Sequence, residues 1–210
     1  MKIYYIICES TCIMKINLRK KRGIIMNLEE LRIDCAIKQK KGLHFILASV
    51  VIWCAVLAVH LTSLPIETKN FLTFCFTAPL VPLAYLISRF IKVDFQSKSN
   101  PINNLGLLFS VNQILYLLIA MWVYPTVPDK MLMVIAMIFG AHLMPYSWLY
   151  LSKSYFVLSI LIPIMALAVG CLFPPYILAV CMVIVEVLFS IVLIFENRKI
   201  KKTAYAASST

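Results

Sequence analysis

Three observations predict an all-α integral membrane protein, a six-helix transmembrane bundle with the N and C termini in the cytoplasm. The composition is too apolar for a soluble chain, six apolar stretches have spanning length, and the basic residues fall on one side. Hydrophobic residues make up 62% of the 210 and charged residues 14%, with a mean hydropathy of +0.90. A soluble domain carries about 45–50% apolar and about 25% charged residues, so the expected solvent and first partner is the lipid bilayer. A net charge of +11 on a soluble chain would suggest nucleic acid. Here Lys and Arg sit between and beyond the apolar stretches rather than on one face, and no nucleic-acid partner is expected.

A span needs about 20 predominantly apolar residues bounded by charge or turn residues. Six stretches qualify: 44–64, 71–91, 105–124, 131–152, 155–173 and 176–195. The connectors are short, among them SLPIETKN, PTVPDK and the pair Pro174-Pro175, which cannot continue a helix from before it. Hairpins of neighbouring helices follow.

Orientation follows from the positive residues, which are retained on the cytoplasmic side. From Met26 onward one side collects Arg32, Lys38, Lys40, Lys41, Arg89, Lys92, Lys98, Lys153, Arg198, Lys199, Lys201 and Lys202, and the other only Lys69 and Lys130. Both ends are therefore expected inside, with residues 196–210 as a basic cytoplasmic tail. Trp122 and Tyr124 on the outer side, with Trp148 and Tyr150 on the inner, fall where interfacial aromatics belong.

The run RKKRGIIM, ending at Met26, raises a start-site question. Purine-rich codons encode Lys, Arg and Gly, so the run resembles a bacterial ribosome-binding site read through as protein. Translation is expected to begin at Met26, with residues 1–25 an upstream extension; the alternative is a basic arm on anionic lipid. A signal peptide fits poorly, because the apolar run of MKIYYIIC is too short. Residues 26–43 read as a cytoplasmic amphipathic helix: Asn27 caps it, Glu29 and Glu30 open it, Lys38, Lys40 and Lys41 close it, and Leu28, Leu31 and Cys35 share a face.

Intramembrane polar residues are where chemistry can reside, since an ionisable group in hydrocarbon needs a reason to be there. Glu186 in the sixth span, His142 in the fourth and Asn112-Gln113 in the third stand out. At 1.5 Å per residue, Glu186 and His142 sit roughly 17 to 18 Å from the outer boundary and Asn112 roughly 20 Å, within a ~30 Å core. These four residues form the candidate ion, proton or substrate site; the alternative is a protonated Glu186 tying helices together by hydrogen bonds.

Prolines supply a second signal, because an interrupted helix frees carbonyls that can line a cavity. Pro79 and Pro82 mark the second span, Pro145 the fourth and Pro163 the fifth. Two halves of three spans, each with a proline-broken middle helix, would resemble the inverted repeats of secondary transporters.

Enzyme signatures are missing: there is no HExxH, GxSxG or P-loop, and His142 and Ser147 are five apart, on different helix faces. Seven cysteines form no CxxC pair, and Met131, Met133, Met137 and Met144 have no Cys or His at ligand spacing, so no metal or cofactor is expected. The segments KQKKGLHFILAS at the first span and AHLMPYSWLY in the fourth make the chain, from Met26 to about Lys201, resemble an uncharacterised family of small bacterial multi-pass membrane proteins. That resemblance implies bacterial origin and the cytoplasmic (inner) membrane, and transfers no functional residue. The expectation is a non-enzymatic small transporter or permease acting on a small ion or metabolite. The alternative is a non-catalytic accessory or immunity-type protein that pairs with itself or another membrane protein, and an intramembrane enzyme comes third.

Overall fold

The computed structural model describes residues 27–93 and 100–208, without the side chains of 107, 114 and 201–208. The expected upstream extension, 1–25, lies outside the described residues. The chain divides into two units, 1–31 and 32–210. Of the first, residues 27–31 are described: Leu31 N–H donates to Asn27 O, and Asn27 N–H to Glu30 Oε2 at 2.9 Å, half of a capping box.

Helix α1 (Leu28–Lys38) closes with an Asp34–Lys38 ion pair at 2.8 Å. Along it Leu28 is 52% exposed, while Cys35 and Ala36 are fully buried. Burial, and then the charge of Asp34, push the Cys35 thiol up to about 12. At pH 8 the thiolate that reacts is therefore scarce. Cys35 is expected to resist a water-soluble maleimide at pH 8 in the folded protein and to react once the protein is unfolded, read by mass spectrometry.

After α1 the chain makes a left-handed turn: Lys40, Lys41 and Gly42 have φ of 46°, 50° and 69°. The left-handed conformation costs a non-glycine residue about 1–2 kcal/mol, and the turn persists because its neighbours hold it. Asn197 Nδ2 donates to Lys40 O (2.9 Å), Tyr155 OH to Lys41 O (2.9 Å), and Lys41 Nζ to Glu196 Oε2 (2.7 Å), while Lys40 Nζ bonds Ile91 O. At Gly42 a Cβ would stand 3.0 Å from both Tyr150 and Tyr155, so glycine is required on two counts.

The rest is helical: α2 (Leu43–His60), α3 (Ile66–Thr77), α4 (Leu80–Phe90), α5 (Asn103–Thr126), α6 (Met131–Leu149), α7 (Lys153–Leu172) and α8 (Pro175–Ser208). Five stretches, containing α2, α5, α6, α7 and α8, are long and apolar enough to cross a membrane, and the α3–α4 pair, bent by 44°, makes six if it counts as one span. The second expected span is thus two short helices meeting at Ala78-Pro79. Pro79 and Pro82 bring no N–H to the carbonyls four residues back, Cys75 and Ala78.

The other two prolines behave differently. Pro145 and Pro163 lie inside continuous helices, α6 and α7, so the expected breaks are absent there. A helix tolerates an isolated proline when a neighbour packs on it, and Gly140 of α6 lies against Pro163 and Ile162. The middle helix of the second half is therefore unbroken, and the likeness between halves does not extend to that feature. Helix α8, 34 residues long, takes in residues 196–208 of the expected tail.

Contacts set the directions. Gly42 meets Tyr150 and Trp53 meets Phe139, so eleven residues forward on α2 match eleven back on α6. Lys41 pairs with Glu196 and Ser49 with Glu186, which makes α8 antiparallel to α2 as well. Outward faces are apolar: Phe71, Phe90, Trp122, Ile164, Leu188 and Phe195 are all more than half exposed, whereas Ser49, Ser159, Glu186 and Ser190 are buried. A soluble protein does not expose such large contiguous apolar surface.

Candidate functional site

Between α2, the α3–α4 break, α5 and α6 lies a cavity of about 590 Å³, within the size range of small-molecule sites. It extends along α2 from Gly42 to Val56, fourteen residues and so about 21 Å. Thr77, Ala78, Leu80 and Val81 line it, so the break itself forms part of the wall. No Lys, Arg, Asp or Glu is among the lining residues.

One face of α6 supplies much of the chemistry. His142, Tyr146 and Tyr150 recur every fourth residue and so share a face. Their rings are in contact, His142 with Tyr146 at 5.8 Å and Tyr146 with Tyr150 at 5.8 Å, and Tyr155 joins at 5.7 Å from Tyr150. Each tyrosine hydroxyl is already engaged: Tyr146 with Ser110 Oγ (2.7 Å) and Gly106 O (3.1 Å), Tyr150 with Gln39 Oε1 (2.7 Å), Tyr155 with Lys41 O. Tyr150, at the turn after α6, has its hydroxyl pushed well up by burial and then by the neighbouring Tyr155, and stays protonated at neutral pH. The cavity thus meets ring faces and few free hydroxyls.

Glu186 is fully buried on α8, behind the wall. Its Oε2 contacts Ser49 Oγ, which also lies 2.8 Å from Ile46 O. A hydroxyl has one proton, so two arrangements exist. With Glu186 protonated, its O–H donates to Ser49 and Ser49 donates to Ile46 O; with Glu186 ionised, Ser49 turns to the carboxylate and leaves the carbonyl. The first satisfies both contacts. Glu186 Oε1 meets no hydrogen-bond partner among the described residues.

Of the expected site residues, the helices bring three to one level. Ser110 bonds Tyr146 across the α5–α6 hairpin. Gln113 is three residues on from Ser110 and His142 four back from Tyr146, which moves both in the same direction, by about 4.5 and about 6 Å. Both line the cavity, as does Ser49, the partner of Glu186. Asn112 is not among them: it is exposed and its Nδ2 donates to Tyr116 OH (3.0 Å) on its own helix. One residue of difference on a helix is 100° of rotation, enough to separate Asn112 from Gln113. Pro79 stands at the break in the cavity wall, Pro82 in the first turn of α4, and Pro145 and Pro163 within helices that pack on each other. Ser147 Oγ donates to Met144 O of its own helix (2.7 Å), away from His142.

Sequence reasoning passed over Ser49, Tyr146 and Tyr155, and read Tyr150 as an interfacial aromatic only. The four-residue ladder His142-Tyr146-Tyr150 was a readable signal; the Ser49–Glu186 pair was not, since it requires knowing that α2 and α8 are neighbours. Glu196 was also passed over, although Lys41, Ser152 Oγ (2.7 Å) and Ser154 N (3.3 Å) all converge on its carboxylate.

The chain belongs to a family of unknown function, DUF7010, which matches residues 28–196 and so takes in the cavity, Glu186 and the left-handed turn. No curated protein and no solved structure matches it.

Proposed function

We propose that this member of DUF7010 is a six-span protein of the bacterial cytoplasmic membrane that binds a small molecule in the cavity and passes it across the bilayer, as a small transporter or permease. The observation that carries this reading is the cavity itself, about 590 Å³ between spanning helices, walled on one side by a broken element and level with a buried glutamate. The distribution of basic residues supports the topology. Arg32 bonds Trp148 O, Lys40 bonds Ile91 O and Lys41 pairs with Glu196 at one end, while Lys69 reaches His60 O (3.4 Å) and Lys130 reaches Gly170 O (2.8 Å) at the other. With the bent pair counted as one span, this distribution favours both described ends on the basic, cytoplasmic side.

The test is thermal unfolding of the detergent-purified protein against pH and a panel of cations and small metabolites. A ligand that binds only the folded state at about 100 times its Kd adds about 2.7 kcal/mol of stability. The expected result is a raised midpoint with at least one ligand, lost in the cavity-blocking variant Ile138→Trp. Loss of the shift in Glu186→Gln as well assigns the glutamate an ionisable role; survival there makes it a helix tie. A panel without effect, or one whose effect persists in Ile138→Trp, overturns the reading.

One observation favours the non-catalytic alternative. Helix α5 is the least covered of the spanning helices, with 12% of its apolar window buried against 28–50% for the others. A second copy or another membrane protein docked on α5 would cover Leu108, Leu115, Leu118 and Trp122. Cross-linking through a cysteine placed at Leu118 distinguishes this, since a transporter acting as a monomer gives no cross-linked species.

A further inference from the structure

The polar atoms facing the cavity define what it can hold, and the inference rests on the cavity being the binding site proposed above. The three tyrosine hydroxyls are bonded to protein acceptors or to Ser110. Thr73 and Thr77 donate to carbonyls of their own helix, Lys69 O and Phe74 O, at 2.9 Å. Ser49 and Ser110 are engaged with Glu186 and Tyr146, and what remains is His142, Gln113 and the indole N–H of Trp53, a donor only. His142 Nδ1 is hydrogen-bonded to Phe139 O. A carbonyl only accepts, so Nδ1 carries the proton, and in the neutral imidazole Nε2 is left as an acceptor. Gln113, at the same level on the facing helix, offers an amide that both donates and accepts. Around this pair the wall is aliphatic and aromatic, and the nearest acid, Glu186, is screened from the cavity by Ser49.

We infer that the cavity takes an uncharged, largely apolar molecule bearing a hydroxyl, a phenol, quinol or long-chain alcohol, whose O–H donates to His142 Nε2 while the Gln113 amide completes the contact. A charged ligand would lie in this wall without a counter-charge, which is costly in an apolar site. A ligand with no donor would leave the histidine acceptor buried and unmet, a loss of about 1–3 kcal/mol. Selection is therefore for the hydroxyl.

Three probes of one size separate the cases: 4-propylphenol, its methyl ether 4-propylanisole, and 4-propylbenzoate, titrated calorimetrically into the detergent-purified full chain. Ile138→Trp serves as the blocked control for partition into detergent. The phenol is expected to bind at least ten-fold tighter than the ether, a difference of about 1.4 kcal/mol. Benzoate should bind weakest. In His142→Phe the preference should fall to within about two-fold, and His142→Gln, which restores an acceptor, should recover part of it; unchanged unfolding midpoints guard against a folding defect. Equal affinity for phenol and ether in the wild type, or tightest binding of benzoate, overturns the ligand class and leaves the cavity as a site. Failure of all three probes to bind above the Ile138→Trp background overturns the cavity reading itself.

Discussion

Lys41→Met is expected to lower stability by about 2–3 kcal/mol, far more than an interfacial ion pair ordinarily supplies. Exposed pairs contribute about 0.2–1 kcal/mol and weaken in salt. The side chain of Lys41 is only 5% exposed and that of Glu196 22%, and their contact is 2.7 Å. Removing one member of a buried pair leaves the other without its counter-charge, a loss of about 3–5 kcal/mol when burial is complete. Glu196 keeps Ser152 Oγ and the Ser154 N–H, which places the expectation below that range. The left-handed turn adds to the effect, because Lys41 is one of the residues whose neighbours hold it there. The double variant Lys41→Met/Glu196→Gln should recover to within about 1 kcal/mol of the wild type, since it removes both charges. Denaturant titration in mixed micelles reads the difference. A loss under about 1 kcal/mol that shrinks further at high salt would show the pair to be solvated.

Gly140→Ala carries the second large effect. A Cβ there would lie 2.5 Å from Pro163 Cδ and 2.7 Å from Ile162 Cγ2, contacts that only movement of α6 and α7 can relieve. Overpacking of this kind costs about 1–3 kcal/mol, against a gain of about 1 kcal/mol from replacing glycine within a helix. Pro163→Ala in the same chain should recover only part of the net loss, because it removes the nearest atom and leaves Ile162 Cγ2 at 2.7 Å and Cβ at 2.8 Å. Gly106→Ala is the control: its Cβ would meet only Leu149 Cδ2 at 3.5 Å, an ordinary contact. If Gly106→Ala and Gly140→Ala behave alike, helix propensity is acting and close packing is not.

These two glycines look alike in the sequence and differ only in what packs on them, which marks the boundary of what residue order discloses. Spans were legible because an apolar run of spanning length is a property of local sequence, and α2, α5, α6 and α7 begin or end within a few residues of expectation. The bend at Ala78-Pro79 was legible for the same reason: proline acts on the four residues before it. Pro163 shows the limit, since whether a proline breaks a helix depends on the surface packed against it, here Gly140. That partnership has no local signature, and neither has Ser49 with Glu186. The four polar residues were chosen by depth, which a count of residues supplies. Depth does not supply rotation, and so Gln113 lies in the wall of the cavity while Asn112 is outside it. Lys40 and Lys41 were read as topological charge and as the basic end of the first helix; their φ values and their hold on α8 follow from tertiary contacts.

Helix α8 has one more consequence, which is mechanical. It is held at Glu186 by Ser49 and again at Glu196 and Asn197 by Lys41 and Lys40, and it continues without interruption to Ser208, eleven residues past the last hold. At 1.5 Å per residue that is an arm of about 17 Å. A tilt of about 10° at the second hold would carry the far end by about 3 Å. Movement of the left-handed turn is thus transmitted past Arg198 and Lys199, where a spectroscopic label would register it.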